Sequence, residues 1–215
     1  MSDAESSLPT DTDAQEAAAA PTRKRPKPGE RRVQILQALA TMLEQPGAER
    51  VTTAALAAKL EVSEAALYRH FASKAQMFEG LIDFIEETVF SLVNQIQTRH
   101  PGEGQRQAAG IAAVLVQFAE RNPGMTRVMV GDALVFEHER LQQRMNQFFD
   151  KLEAALRQCL REALDASGAA TPTADAQVRA SLLTAFLVGR LQRFARSGFR
   201  KLPSEHLDPC LARML

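Results

Sequence analysis

The side chains of this sequence that are best placed to do chemistry are hydrogen-bond donors grouped in residues 51–74. Thr52, Tyr68, His70 and Lys74 supply a hydroxyl, a phenol, an imidazole and an ammonium group. Donors of this kind anchor proteins to the phosphate oxygens of nucleic acids. A lone histidine is more often structural than functional, so the spacing of His70 from Tyr68 and Lys74 is what favours a binding surface.

Two short helices joined by a tight turn would position these donors. Thr53 is a suitable N-cap for a first helix that extends to Leu60, and Ser63 is a suitable N-cap for a second helix that extends through Phe71. This spacing predicts a helix-turn-helix, whose second helix lies in the major groove of DNA.

The start of this second helix is predicted to face the base edges. Alanine methyl groups can contact the methyl group of thymine, and the Glu64 carboxylate can accept a hydrogen bond from cytosine. The residues concerned are Ser63, Glu64, Ala65 and Ala66. Thr53 completes this predicted surface, whereas Arg69 has two interpretations, a base contact or a solvated helix residue.

The N-terminal segment has a marked charge asymmetry within a chain of zero net charge. Residues 1–20 carry only acidic groups, and residues 21–32 are strongly basic up to Arg31 and Arg32, which open the first helix. Residues 1–28 lack periodic apolar positions, which predicts a disordered tail. Its basic, proline-rich end suits an arm lying along a phosphate backbone or in a minor groove, although a solubilising leader is the alternative.

Several function classes have no support in the sequence. It contains no glycine-rich phosphate loop, no signature of an activated nucleophile and no paired catalytic carboxylates, so we expect no enzyme and no cofactor. The remaining histidines, His100, His138 and His206, lack partners at ligand spacing, which predicts no metal site. No long apolar run or signal pattern is present, and we therefore expect a cytoplasmic protein that does not span a membrane.

The periodicity of the apolar residues predicts an all-α protein. A helix over residues 30–45 joins the two short helices in a three-helix DNA-binding domain, residues 29–73. A long helix over residues 74–99 then leads into a helical dimerisation and partner-binding domain, residues 74–215. Glycine and proline breaks place the later helices near residues 104–121, 124–136, 138–166, 174–197 and 204–214.

A homodimer is predicted from two helices of this second domain. Residues 178–194 leave almost no polar face, so another element must cover this helix. The same helix of a second copy would form a four-helix contact, with Gly189 allowing close approach. The alternative is burial inside one subunit. The predicted interface residues are Phe148, Leu152, Leu182, Phe186, Gly189 and Phe194.

The helix-turn-helix resembles a known family. The hallmark of the TetR family is Leu-Tyr-x-His-Phe followed by Ser-Lys, and residues 52–78 match it with the run TTAALAAKLEVSEAALYRHFASKAQMF. The resemblance implies a dimer bound to palindromic double-stranded DNA, with Arg31 and Arg32 reaching the minor groove or its edge. Two positions depart from the family pattern. Glu61 replaces a glycine at a turn position that often needs a left-handed backbone, and Ala72 replaces a proline.

The second domain resembles the nucleoid occlusion branch of the family. The matching segments are LIDFIE at 81–86, FAERNPGMTRVM at 118–129 and ALVFEHERLQQRMNQFF at 133–149. The resemblance implies a DNA-bound dimer that binds the acidic tail of the division GTPase FtsZ and blocks ring assembly over the nucleoid. It places candidate FtsZ contacts at Phe84, Arg121 and Asn122. Arg121 is a planar donor fork suited to a carboxylate, or alternatively a helix C-terminal arginine facing the dipole.

Two other functions are possible from the sequence. A TetR-type repressor released by a small hydrophobic effector would use the same helix-turn-helix. A dimerising scaffold with no DNA role would leave the basic arm and the donor group of Tyr68, His70 and Lys74 unexplained.

Overall fold

A computed structural model of the chain describes residues 29–45 and 50–215. The predicted tail of residues 1–28, with its basic arm, lies outside this range. All regular elements of the described residues are helical, which confirms the all-α prediction.

Three short helices form the N-terminal head: α1 (Glu30–Leu43), α2 (Thr53–Lys59) and α3 (Glu64–Tyr68). The second helix of the helix-turn-helix is shorter than predicted, since α3 ends at Tyr68 and not at Phe71. The chain turns after Tyr68 to bury the Phe71 ring, which is only 1% exposed, beside the core residues Leu56 and Leu67.

The remaining helices form the body: α4 (Lys74–Arg99), α5 (Gly104–Arg121), α6 (Pro123–Met129), α7 (Glu139–Ala166), α8 (Pro172–Arg196) and α9 (Leu207–Met214). The predicted helix over residues 124–136 is wrong in its second half, because α6 ends at Met129 and Gly131 has a φ of 85°. A short 3-10 turn, Asp132–Leu134, follows. None of the helices in the described ranges is both long and apolar enough to cross a membrane.

The long helix α4 joins the head to the body. Its buried side chains, from Met77 to Val93, pack against α1 on the head and against α5 and α7 on the body. Ion pairs fix its position along α7. Arg140 Nε lies 2.8 Å from Glu79, and Arg144 contacts Asp83 at 2.9 Å and Glu86 at 2.8 Å. Acidic groups therefore face basic groups on α7 over about two helical turns of α4.

A second head–body contact joins α1 directly to α6. A Cβ atom added to Gly124 would lie 2.0 Å from the carbonyl oxygen of Ala40, so the two backbones touch with no room for a side chain. The missing side chain of Gly124 is thus a condition for the observed position of the head on the body.

Candidate DNA-binding surface and partner site

Side-chain hydroxyls cap both helices of the helix-turn-helix. Ser63 Oγ accepts a hydrogen bond from the Ala66 amide at 3.3 Å, as predicted. The predicted cap at Thr53 is wrong by one residue. Thr52 has the extended backbone of an N-cap, and its Oγ1 accepts from the Ala55 amide at 3.1 Å. As an acceptor in the cap, the Thr52 hydroxyl keeps its own proton for an outside acceptor such as a phosphate.

The turn between α2 and α3 has the left-handed backbone that the family resemblance implied. Glu61 has a φ of 54° although it is not a glycine. A residue with a Cβ atom costs about 1 kcal/mol in this conformation. The turn is nevertheless kept, and it sets the angle at which α3 leaves α2.

The start of α3 presents a small, mostly exposed surface. Ser63, Glu64 and Ala65 are exposed, and Ala66 is half-buried. The Thr53 hydroxyl, at the first position of α2, donates a 2.6 Å hydrogen bond to Oε2 of Glu64. Thr53 and Glu64, which were predicted separately as DNA contacts, are therefore hydrogen-bonded to each other.

The Arg32 side chain makes two contacts within the head. Its Nη1 donates to the backbone carbonyl of His70 at 2.6 Å, and its guanidinium carbon lies 4.2 Å from the centre of the Phe71 ring. These contacts tie the start of α1 to the segment that follows α3. Arg31 is half-buried beside it.

The donors at and beyond the end of α3 differ in their exposure to solvent. Tyr68 is 45% exposed, Arg69 is exposed and His70 is half-buried. Lys74 opens α4, and its ammonium group donates to the carboxylate of Glu137, in the loop that precedes α7. The Lys74 side chain is 27% exposed and that of Glu137 is 9% exposed, so the pair is largely shielded from solvent.

The candidate partner residues lie on elements that meet beside the head. Phe84 is 45% exposed on α4, and Arg121 is exposed at the last position of α5. Asn122 forms the corner between α5 and α6, where its side-chain amide donates to the Phe118 carbonyl at 2.8 Å. Since α1 packs on both α4 and α6, and Gly124 fixes the α1–α6 contact, these elements form one corner of the molecule.

The predicted dimer residues divide into two sets. Phe148, Leu152 and Phe194 are at most 2% exposed within a single chain, so their prediction as interface residues is wrong. They pack on their own subunit. Phe148 contacts Phe90 at a ring distance of 5.5 Å, and Phe194 contacts Phe199 at 5.2 Å.

The second set lies on one side of α8. Leu182 is 60% exposed, Phe186 is half-buried, and a Cβ atom at Gly189 would meet no atom within 4 Å. Val178, one turn before Leu182, is 59% exposed and extends this surface, although the prediction did not include it. We refer to Val178, Leu182, Phe186 and Gly189 as the α8 face.

The loop before α7 holds exposed and contacting residues that sequence reasoning missed. Val135 and Phe136 are each 70% exposed, and Glu137 pairs with Lys74. The predicted helix over residues 124–136 concealed this loop, because it was extended through Val135 and Phe136. The glycine at position 131 was the signal that could have placed the helix end earlier.

Comparisons with known proteins agree with this architecture. A sequence profile of bacterial regulatory proteins of the tetR family matches residues 35–81, and a SlmA-like profile described as a tetracyclin repressor-like C-terminal domain matches residues 106–212. In its fold the chain is similar to the fatty acid degradation regulator FadR from Bacillus halodurans. That match has a TM-score of 0.70 and 14% identity, and it covers 88% of this chain and 96% of the other.

Relatives with a much higher identity extend through both the head and the body. The chain is 50% identical over 178 residues to the nucleoid occlusion factor SlmA of Idiomarina loihiensis, covering 83% of this chain and 90% of that protein. It is 52% identical over 174 residues to the SlmA protein of Colwellia psychrerythraea, covering 81% and 87%. The chain therefore belongs to the SlmA family of nucleoid occlusion factors, a DNA-binding, non-enzymatic family with a TetR-type head.

Proposed function

We propose that this chain is a sequence-specific DNA-binding dimer that binds FtsZ while it is held on DNA, and so blocks division-ring assembly over the nucleoid. The observation that carries the proposal is the identity of about half the residues with nucleoid occlusion factors through the body as well as the head. The head motif alone would fit a TetR-type repressor equally well.

The exposed start of α3 supports the DNA-binding half of the proposal. Small side chains at Ser63, Ala65 and Ala66 allow the helix to approach base edges closely. The Thr52 hydroxyl and the exposed Tyr68 phenol lie at the ends of the α2–α3 unit, where donors to phosphate are needed. They would fix the position of the helix, and the residues at the start of α3 would read the sequence.

The corner beside the head supports the FtsZ half. An acidic, extended peptide needs a cation for its carboxylates and an apolar surface for its hydrophobic side chains. Arg121 is the exposed cation and Phe84 is the exposed apolar side chain. Asn122 uses its amide hydrogen within the corner, which leaves its side-chain oxygen for a peptide N–H group.

The α8 face supports a two-fold dimer, which would place two heads on the half-sites of a palindrome. An exposed apolar stripe with an open glycine is the kind of surface that two copies of a helix cover mutually. Association of the bodies would bring two candidate FtsZ sites onto one DNA-bound particle. Several such particles along the chromosome would gather FtsZ tails near the nucleoid.

Light scattering of FtsZ polymers, with this protein and with or without a DNA duplex that it selects, tests the proposal. We expect the scattering to fall much more with DNA than without it. Phe84→Ala and Arg121→Ala should abolish this effect while DNA affinity is retained. Phe136→Ala removes an equally aromatic, more exposed side chain outside the corner and serves as the matched control.

Unchanged FtsZ scattering in the presence of bound DNA would contradict the occlusion function. The repressor function would then be favoured, and the binding sites on the chromosome would distinguish the two. Many dispersed sites accord with occlusion, whereas a single promoter site accords with a repressor.

A further inference from the structure

The bond between Thr53 and Glu64 has a consequence for DNA sequence selection. We propose that Glu64 is a specificity-determining residue that selects cytosine in the major groove, and that Thr53 is the positioning residue that aims its carboxylate. The inference rests on the proposed DNA binding by α3 and adds to it the base class that one side chain reads.

A carboxylate at this position is unfavourable for non-specific DNA binding. Glu64 is exposed at the first position of α3, the end of a recognition helix that enters the groove. Within the described part of the chain Glu64 forms no ion pair, and its side chain is hydrogen-bonded to the neutral Thr53 hydroxyl. Its negative charge is therefore not neutralised, and it repels the DNA phosphates.

The helix itself gives one reason for an acid at this position. A negative charge in the first turn stabilises a helix through its dipole, and Ser63 already caps the same turn. This effect requires a charge near the helix end but no fixed direction of the side chain. The 2.6 Å bond from Thr53 fixes one carboxylate oxygen and so restricts the rotamer as well.

The restricted carboxylate retains acceptor capacity. Thr53 donates to Oε2, so Oε1 and the second lone pair of Oε2 can still accept hydrogen bonds. An ionised glutamate has no proton to donate, and it can pair only with a donor. In the major groove the base-edge donors are the amino groups of cytosine and adenine.

The chemistry of the two amino-bearing bases favours cytosine. Adenine presents its N7 acceptor beside the amino group, and this acceptor repels a carboxylate. Cytosine presents its amino group without an adjacent acceptor on the same base. Guanine and thymine offer only acceptors, or an acceptor and a methyl group, so Glu64 should disfavour both.

The position of Thr53 explains why two adjacent threonines occur here. Thr52 is the N-cap of α2 and Thr53 is its first residue. The Thr52 hydroxyl caps the helix, whereas the Thr53 hydroxyl donates to Glu64. Thr53 connects α2 to the start of α3 across the turn at Glu61 and transmits the rigid geometry of the head to the Glu64 carboxylate. A reading side chain held by a second residue discriminates better than one that rotates freely.

Selection from a library of randomised DNA duplexes by the full-length protein, followed by sequencing, tests the proposal. The wild type should enrich cytosine at one position of each half-site, with about tenfold or greater discrimination against thymine and guanine there. Glu64→Gln should shift this position to adenine, since a glutamine amide can pair with both N6 and N7. Thr53→Val should lower the discrimination at the same position, and Thr53→Ser, which retains the hydroxyl, should restore it.

Glu87→Gln is the matched control, since it removes the same charge from an exposed position on α4, outside the head. It should leave the enriched base unchanged. A thermal melt of each variant shows whether the head is folded.

The outcomes separate the two levels of the proposal. An identical base preference for the wild type and a folded Glu64→Gln variant would overturn the role of Glu64. If a folded Thr53→Val variant discriminated between bases as well as the wild type, the role of Thr53 in positioning the Glu64 carboxylate would be overturned. If the wild type enriched no sequence at all, sequence-specific DNA binding itself would fail, and this inference with it.

Discussion

Replacing Glu137 by glutamine tests whether the Lys74 ammonium group exchanges its bond to Glu137 for a contact with a DNA phosphate. Lys74 is a predicted phosphate contact, but in this structure it donates to Glu137. The single positive charge of this ammonium group is balanced by the shielded carboxylate while the pair is intact, so it does not also neutralise a phosphate. Glu137→Gln keeps the side-chain size and removes the competing charge, so it should strengthen DNA binding, whereas Lys74→Met should weaken it.

The effect on folding stability follows from the shielding of the pair. Exposed ion pairs contribute about 0–1 kcal/mol, and breaking a fully buried pair costs about 3–5 kcal/mol. With side-chain exposures of 27% and 9%, the pair lies between these cases. We expect Glu137→Gln to lower the free energy of unfolding by about 1–2 kcal/mol. In a chain of this size each kcal/mol lowers the melting temperature by about 2–4 °C.

Two measurements are needed, a thermal melt and a DNA titration at several salt concentrations. Lys74→Met should reduce the slope of log affinity against log salt by about one unit if it removes one phosphate contact. Glu139→Gln is the control, because it removes an exposed carboxylate two residues away whose side chain, among the described residues, accepts a hydrogen bond from Gln143 and forms no ion pair. If Glu137→Gln weakened DNA binding as much as Lys74→Met, the intact pair would be required on DNA, and the transfer of Lys74 to phosphate would be refuted.

Three further perturbations test the packing. Gly124→Ala should destabilise the chain by about 1–3 kcal/mol in a thermal melt, since the new methyl group forces the two backbones apart; an unchanged melt would contradict the close contact. Burial raises the pKa of the Cys159 thiol, so a thiolate-directed reagent at pH 8 should label the less buried Cys210 and leave Cys159 unmodified until the protein unfolds. Leu182→Glu should dissociate the proposed dimer in sedimentation, whereas Val135→Glu, at a more exposed apolar position outside the α8 face, should not.

Local signals in the sequence were sufficient to predict where some helices begin and end. The bounds of α4 match the prediction at both ends, because Ser73 is a strong cap and a proline–glycine pair follows His100. Ser63 was likewise recognisable as a cap. These signals act over a few residues, so they can be read without knowledge of the tertiary structure.

Contacts between distant residues could not be obtained in this way. Lys74 and Glu137 are 63 positions apart, and nothing near Lys74 in the sequence indicates its partner. The apolar periodicity of α7 and α8 showed that both helices are mostly buried. It did not show which stripe faces the same subunit, and Phe148 and Phe194 were assigned to the wrong side for that reason.

The contact at Gly124 has a mechanical consequence for a protein that would serve two partners. Because the backbones of α1 and α6 touch with no side chain between them, no flexible layer can absorb a tilt of the head. A rotation of the head to fit a half-site must carry the start of α6 with it, and Asn122 lies at that point. If this corner holds the FtsZ tail as proposed, the spacing of the half-sites in DNA should affect how well FtsZ binds.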